Sequence, residues 1–266
     1  MPAVTLESVS KIFRHRPALF NWLGQERSGE TRALNRVSLE IPSGSVLVLL
    51  GPNGSGKTTT LKLISTMLLP DEGRVLVQQF DTRTDSRAVR QRVGFAVATE
   101  RSFFPRLSAR ENLDFFATLD DIPRRARAAR IDELLMRTGL QDAADTLVMK
   151  FSSGMYQRLG IARALIHKPA VVLLDEPTRS LDPGSAAQFW NLVRELPSQG
   201  TTVMLATHNF NEAVAVGNHV AVLFKGTVAA ERTLSATMSV DELRSFYFQT
   251  TGELEEVEPV AARSLP

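Results

Sequence analysis

Two patterns of apolar and polar positions alternate along the 266-residue chain. Residues 4–9 and 37–41 alternate apolar with polar, the period of a half-buried strand. The second run is closed by the turn cluster Pro42-Ser43-Gly44. Residues 46–50 are apolar throughout, and residues 74–79 and 93–98 predict two further strands. Residues 11–33 carry Arg14, His15, Arg16, Arg27 and Arg32 with little periodicity. They read as a long surface loop, with room for a short helix at 17–23. From about residue 100 to residue 166 the pattern becomes helical. Ser108-x-x-Glu111 is a capping box ahead of Leu113, Phe115, Phe116 and Leu119. Residues 131–140 predict a second helix. Met155, Leu159, Ala162 and Ile166 fall at helical spacing in a third, which opens at Ser152-Ser153-Gly154. The basic run 124–130 reads as a solvated helix face rather than a docking face.

A strand and helix rhythm then returns. Residues 170–174 are apolar and rich in valine, as a parallel strand buried on both faces requires. A helix is expected at 188–196 and a core strand at 201–206, running into Thr207-His208. A hairpin turns at Lys225-Gly226, and an acidic, loose tail begins at Glu253. The chain therefore reads as α/β, with a mainly parallel sheet, an N-terminal antiparallel β part and an inserted α-helical lobe. Residues 1–235 would form the domain, and 236–266 a short, partly flexible tail.

Composition changes this picture little. The chain is 43% hydrophobic and 23% charged, ordinary for a globular protein. It has no cysteine, which excludes disulfides and thiolate metal sites. No apolar run reaches the roughly 18–20 residues that span a bilayer, and Glu7 and Lys11 interrupt any signal-peptide pattern. The expectation is a protein kept in the cytoplasm, reaching a membrane only through a partner. A formal charge of +2 is too small to argue for nucleic acid.

The chemistry concentrates at Gly51-Pro52-Asn53-Gly54-Ser55-Gly56-Lys57-Thr58, followed by Thr59. This is G-x-x-x-x-G-K-[ST], preceded by a strand pattern and followed by a helical one. The glycines let backbone N–H groups turn inward on a phosphate chain, and the helix start adds its positive dipole end. Lys57 reaches the terminal phosphates, and the Thr58 hydroxyl suits Mg²⁺. Asp175-Glu176 ends an apolar strand, where α/β sheets present ligand-binding groups. Asp175 is assigned to the metal and Glu176 to polarising an attacking water. His208 also ends a core strand, where a terminal phosphate would be contacted.

Taken together, these residues resemble the nucleotide-binding subunit of an ABC transporter over residues 1–235. Phe151-Ser152-Ser153-Gly154-Met155 is similar to that family's signature, Ser180-Leu181-Asp182 stands at its D-loop position and His208 at its switch-histidine position. The resemblance implies ATP and Mg²⁺ as cofactors, with Phe13 stacking on adenine. It also implies two subunits, alike or merely similar, closing head to tail. Ser152, Ser153, Gly154 and Asp182 of one would then meet the nucleotide on the other. A separate transmembrane permease subunit is implied as partner, with the ATPase peripheral at the cytoplasmic face of the cell membrane and no role for nucleic acid. Ser-Ser-Gly-Met and the long loop before Ala33 are similar to exporters of polysaccharides, drugs and lipids. The short tail leaves no room for a carbohydrate-binding domain.

One family position departs from the pattern. A glutamine expected after the strand at 93–98 is replaced by Ala98-Thr99-Glu100-Arg101. Glu100 is then the metal-ligand candidate, ahead of Thr99, while Arg101, Phe103 and Phe104 form a cluster suited to gripping a partner helix. The competing readings are an ABC-type ATPase acting on DNA, RNA or ribosomes, which would show coiled coils or a second such domain, and a small-molecule kinase. The kinase reading leaves the signature and His208 unexplained.

Overall fold

The computed structural model describes residues 1–14, 29–97, 102–235 and 237–253. In chain order the N-terminal half runs β1 (Pro2–Arg14), β2 (Glu30–Pro42), β3 (Val46–Leu50), α1 (Lys57–Ile64), β4 (Glu72–Val77), β5 (Phe80–Asp81), α2 (Ser86–Arg90) and β6 (Val93–Val97). Then follow α3 (Ala109–Leu119), α4 (Arg124–Arg137), α5 (Ser153–Leu165), β7 (Val171–Asp175), α6 (Pro183–Glu195) and β8 (Thr202–Thr207). The chain closes with α7 (Phe210–Val216), β9 (His219–Phe224), β10 (Thr227–Thr233) and α8 (Val240–Thr251).

The alternating runs build a four-stranded sheet, β2-β1-β4-β5, whose neighbours pair antiparallel. The continuous apolar runs build a six-stranded sheet, β10-β9-β3-β8-β7-β6, parallel except for the β9–β10 hairpin. Its central strands are apolar except at their ends because both faces are covered. Val46, Val48 and Leu50 of β3 point into a core shared with the helical lobe, and Leu47 and Leu49 into one shared with the small sheet and α1. β7 divides in the same way, Val172 and Leu174 against Val171 and Leu173.

Strand register fixes the working edge. Leu50 pairs with Thr207, Ala206 with Asp175, and Asp175 with Val97. The carboxyl ends of β3, β8, β7 and β6 thus finish side by side, where open parallel sheets bind ligands.

Several expectations need correction. Lys11–Arg14 and Glu30–Ala33 do not belong to a loop: Arg14 pairs with Glu30 and Phe13 with Thr31, extending the hairpin. Asp71 holds this end by accepting from the Ile12 N–H at 2.6 Å and from Lys11 Nζ at 3.2 Å. Residues 15–28, with the short helix expected at 17–23, lie outside the described residues. The basic run begins α4 and is largely exposed, as expected of a solvated face, except that Arg127 and Arg130 are half-buried: Arg127 donates to Ile122 O at 2.7 Å, and Arg130 to the carbonyls of Ile166 and Leu165. Residues 240–251, expected within the tail, form α8. A capping box of Ser239 and Glu242 starts it, and Leu243 and Tyr247 are buried.

Candidate functional site

The loop after β3 is shaped by close approaches. A Cβ on Gly51 would lie 2.2 Å from Leu223 O, and one on Gly56 2.5 Å from the Leu34 side chain, at a φ of 110°. Neither position admits a side chain. The β9–β10 turn braces the loop, Gly226 N–H donating to Ser55 O at 3.1 Å. Gly56 caps α1 without a side-chain hydrogen bond, and no acid lies in the first turn. The amide dipoles there face an uncompensated concave surface. Lys57, 6% exposed, donates to Gly51 O at 2.7 Å and Pro52 O at 3.1 Å. Burial lowers its pKa, with Glu176 and Asp175 acting against it.

Across the cavity Asp175 Oδ2 accepts the Thr58 hydroxyl at 2.8 Å. Its Oδ1 is buried without a partner, and burial raises the pKa of the carboxyl. An orphaned carboxylate oxygen beside a hydroxyl is a hard-oxygen donor pair, the kind that suits Mg²⁺. Among the described residues no cluster of acids and histidines could hold a metal alone.

Glu176 adopts a left-handed backbone, φ 50°, rare for a side chain of its size. Its N–H donates to Ala206 O at 2.9 Å, and its carbonyl accepts from Gln157 Nε2 at 3.2 Å and the Arg179 N–H at 3.2 Å. The turn aims Oε1 at His208 Nδ1, 2.9 Å away, with Lys57 Nζ at 4.0 Å. The resulting cavity has a volume of about 400 Å³ and is lined by Asn53, Gly54, Gly56–Thr59, Asp175 and Glu176, with Lys62 and Arg179 adding charge.

Not every expected residue converges there. Phe13 sits on β1, half-buried, with Lys11 Nζ 5.9 Å from its ring, and does not line the cavity. Ser152 caps α5, accepting from Met155 N–H at 3.2 Å, while Gly154 abuts Ser180 O. Asp182 caps α6, accepting from Ser185 at 3.0 and 2.6 Å, and those bonds lower its pKa. None of Ser152, Ser153, Gly154 or Asp182 lines the cavity of its own chain. Glu100, Thr99 and Arg101 lie outside the described residues. Phe103 is not a surface group: it is 8% exposed and packs edge-on against Phe116 and Tyr156. Phe104 is 45% exposed and meets Phe115 edge-on, with ring centroids 4.7 Å apart.

Gln157 and Arg179 were not expected. Gln157 is buried on α5 and donates to the carbonyls of Glu176 and Pro177 while accepting from Ser180 N–H, so it locks the turn that presents Glu176. Gln157 lies two residues from Met155, on the side of α5 opposite the stripe of Met155, Leu159, Ala162 and Ile166, so the periodicity gave no signal of its burial.

A phosphate loop, a strand-end acid pair and a histidine on one edge of a parallel sheet define a P-loop nucleotide hydrolase. Residues 34–179 match the family described as ABC transporter. The daunorubicin resistance ATP-binding protein DrrA3 of Streptomyces coeruleorubidus is 39% identical over 221 residues, covering 83% of this chain and 68% of that protein. The ABC transporter ATP-binding protein NatA of Bacillus subtilis is 37% identical over 204 residues, covering 77% of this chain and 83% of that protein. The dimeric post-hydrolysis state of the ATP-binding cassette MJ0796, bound to ADP and Pi, superposes with a TM-score of 0.76 at 30% identity, over 87% of this chain and 99% of that one. The chain belongs to the ABC transporter family and is an ATP-binding subunit that couples ATP hydrolysis to transport. Such subunits work with membrane subunits. Among the described residues no helix is long and apolar enough to cross a membrane.

Proposed function

We propose that two copies of this chain, or this chain and a similar one, close head to tail around ATP to drive export by a separate membrane permease. The cargo class would be a drug, lipid or polysaccharide, and the site would lie at the cytoplasmic face of the cell membrane. The observation that carries the hydrolytic half of this reading is the bridge from His208 through Glu176 Oε1 to Lys57 at 2.9 and 4.0 Å. Glu176, held by His208, orients a water and draws its proton while Lys57 leaves the Gly51 and Pro52 carbonyls for the terminal phosphate. Thr58 and Asp175 would hold Mg²⁺, which would supply charge neutralisation at the phosphates. Arg179 offers a further cation on the cavity wall.

Closure is supported by what the single chain leaves over. Ser152–Gly154 form a helix start that does not line the chain's own cavity and is suited to an anion presented by another copy. Export is supported by the signature Ser152-Ser153-Gly154-Met155 and by the relative named for daunorubicin resistance. The exposed pair Phe104 and Phe115, with Leu119 at 63% exposure, offers an apolar face for a permease helix. Ser152→Arg tests the head-to-tail arrangement. ATP binding is expected to persist, and turnover, measured with the membrane partner if the isolated subunit is silent, to fall at least about 100-fold. Undiminished turnover would rule out this contact.

A further inference from the structure

Glu212 is a buried acid with no part in the chemistry above. It lies in the first turn of α7, 1% exposed, its N–H donating to the capping Asn209 Oδ1 at 3.3 Å. Three donors from three other segments face its carboxyl: the Thr178 hydroxyl after Glu176, the Trp190 indole N–H on α6, and the Thr207 hydroxyl beside His208. None meets it at regular hydrogen-bond geometry, and both carboxyl oxygens and Trp190 Nε1 are buried without a regular partner. Thr207 Oγ1 already accepts the Asn209 N–H at 3.0 Å, so its own proton is left for Glu212. No cation pairs with the carboxyl among the described residues, and the charge it feels is the like charge of Glu176. Burial holds its pKa above the usual range.

We propose that Glu212 is a positioning residue for ATP hydrolysis, a buried carboxyl that ties the turn presenting Glu176 to the strand end presenting His208. The carboxyl gathers the Thr178 and Thr207 hydroxyls and the Trp190 indole N–H of α6 into one buried cluster. It sets the separation of the acid and the imidazole, a distance to which hydrolysis is sensitive. The inference rests on the hydrolytic roles of Glu176 and His208 proposed above.

The test compares Glu212→Gln and Glu212→Leu in the full chain, with the membrane partner if required. Glu212→Gln keeps the volume and an oxygen acceptor for the three donors, and is expected to hold kcat within about two-fold. Glu212→Leu keeps bulk and apolar packing; kcat should fall about ten-fold or more while KM for ATP stays within about two-fold. Trp190→Phe, which removes one donor at little change in bulk, should lower kcat in the same direction without moving KM. That variant carries the test if Glu212→Leu does not fold, as judged by thermal unfolding. Wild-type kcat in Glu212→Leu, or in Trp190→Phe where it carries the test, would overturn the inference. So would a Gln variant as impaired as Leu, or losses that only track the folded fraction. Glu176→Gln run alongside separates the two claims: if it hydrolyses ATP normally the hydrolytic reading fails, whereas normal Glu212→Leu beside dead Glu176→Gln removes Glu212 alone.

Discussion

Two residues, Lys57 and Asp175, carry charge into a place that charge avoids. Their burial leaves Lys57 bonded to loop carbonyls and one Asp175 oxygen bonded to nothing. Such groups cost stability in the nucleotide-free protein and gain partners when a substrate arrives. Lys57→Ala should weaken nucleotide binding and lower turnover at least about 100-fold, the usual scale for losing a donor to developing charge; turnover near wild type would remove Lys57 from the phosphate. Asp175→Asn should separate stability from function. The folded-state pKa of Asp175 lies above its ordinary value of 3.8, so the folded state binds more protons across that interval. Stability therefore falls as pH rises through it. At neutral pH the variant, relieved of a buried charge, should unfold at a higher temperature than wild type by calorimetry. The gain should shrink as the pH drops through the same interval, while Mg²⁺-dependent turnover is lost. A lower unfolding temperature at neutral pH would contradict the account.

The helices of the lobe and the C-terminus depend on their caps. Ser108 and Glu111 satisfy each other's backbone at 2.7 and 3.2 Å at the start of α3, the helix that carries Phe115. Ser108→Ala should cost about 1 kcal/mol, roughly 2–4 °C in Tm for a chain of this size, and loosen the Phe104–Phe115 face. The cap at 108 was legible because a clear apolar stripe follows it. The same signature at Ser239 and Glu242 starts α8. It was overlooked because only Leu243 and Tyr247 are buried, and the flanking aromatics Phe246 and Phe248 blur the period. Each central strand was legible from its unbroken apolar run, since burial on two faces leaves no other composition. The end of the first hairpin was not, because Asp71 holds it from 59 residues away. Gln157, Arg179 and Glu212 escaped for a related reason: their meaning comes from α5, β7, α6, β8 and α7 meeting, which no local pattern encodes.

At the scale of the whole molecule, the parallel register sets Gly51, Asp175 and His208 along one edge, while the helical lobe carries Ser152 and Gly154 elsewhere. One chain therefore holds a phosphate loop with its hydrolytic groups, together with a helix start that does not line its own cavity. Two chains head to tail would complete both sites at once. Replacing Phe104 with Asp should leave basal hydrolysis within about two-fold, as expected of a surface site away from the cavity, and abolish its stimulation by the membrane subunit; unchanged stimulation would move the docking face elsewhere. The central claim is tested most directly by light scattering behind size-exclusion chromatography on Glu176→Gln, with and without ATP. That variant keeps Lys57, Thr58 and the loop amides but lacks the carboxylate that draws a proton from water. The account predicts bound ATP, no turnover and a stable dimer that dissociates when nucleotide is removed. A variant that binds ATP, remains a monomer and hydrolyses at the wild-type rate would contradict it.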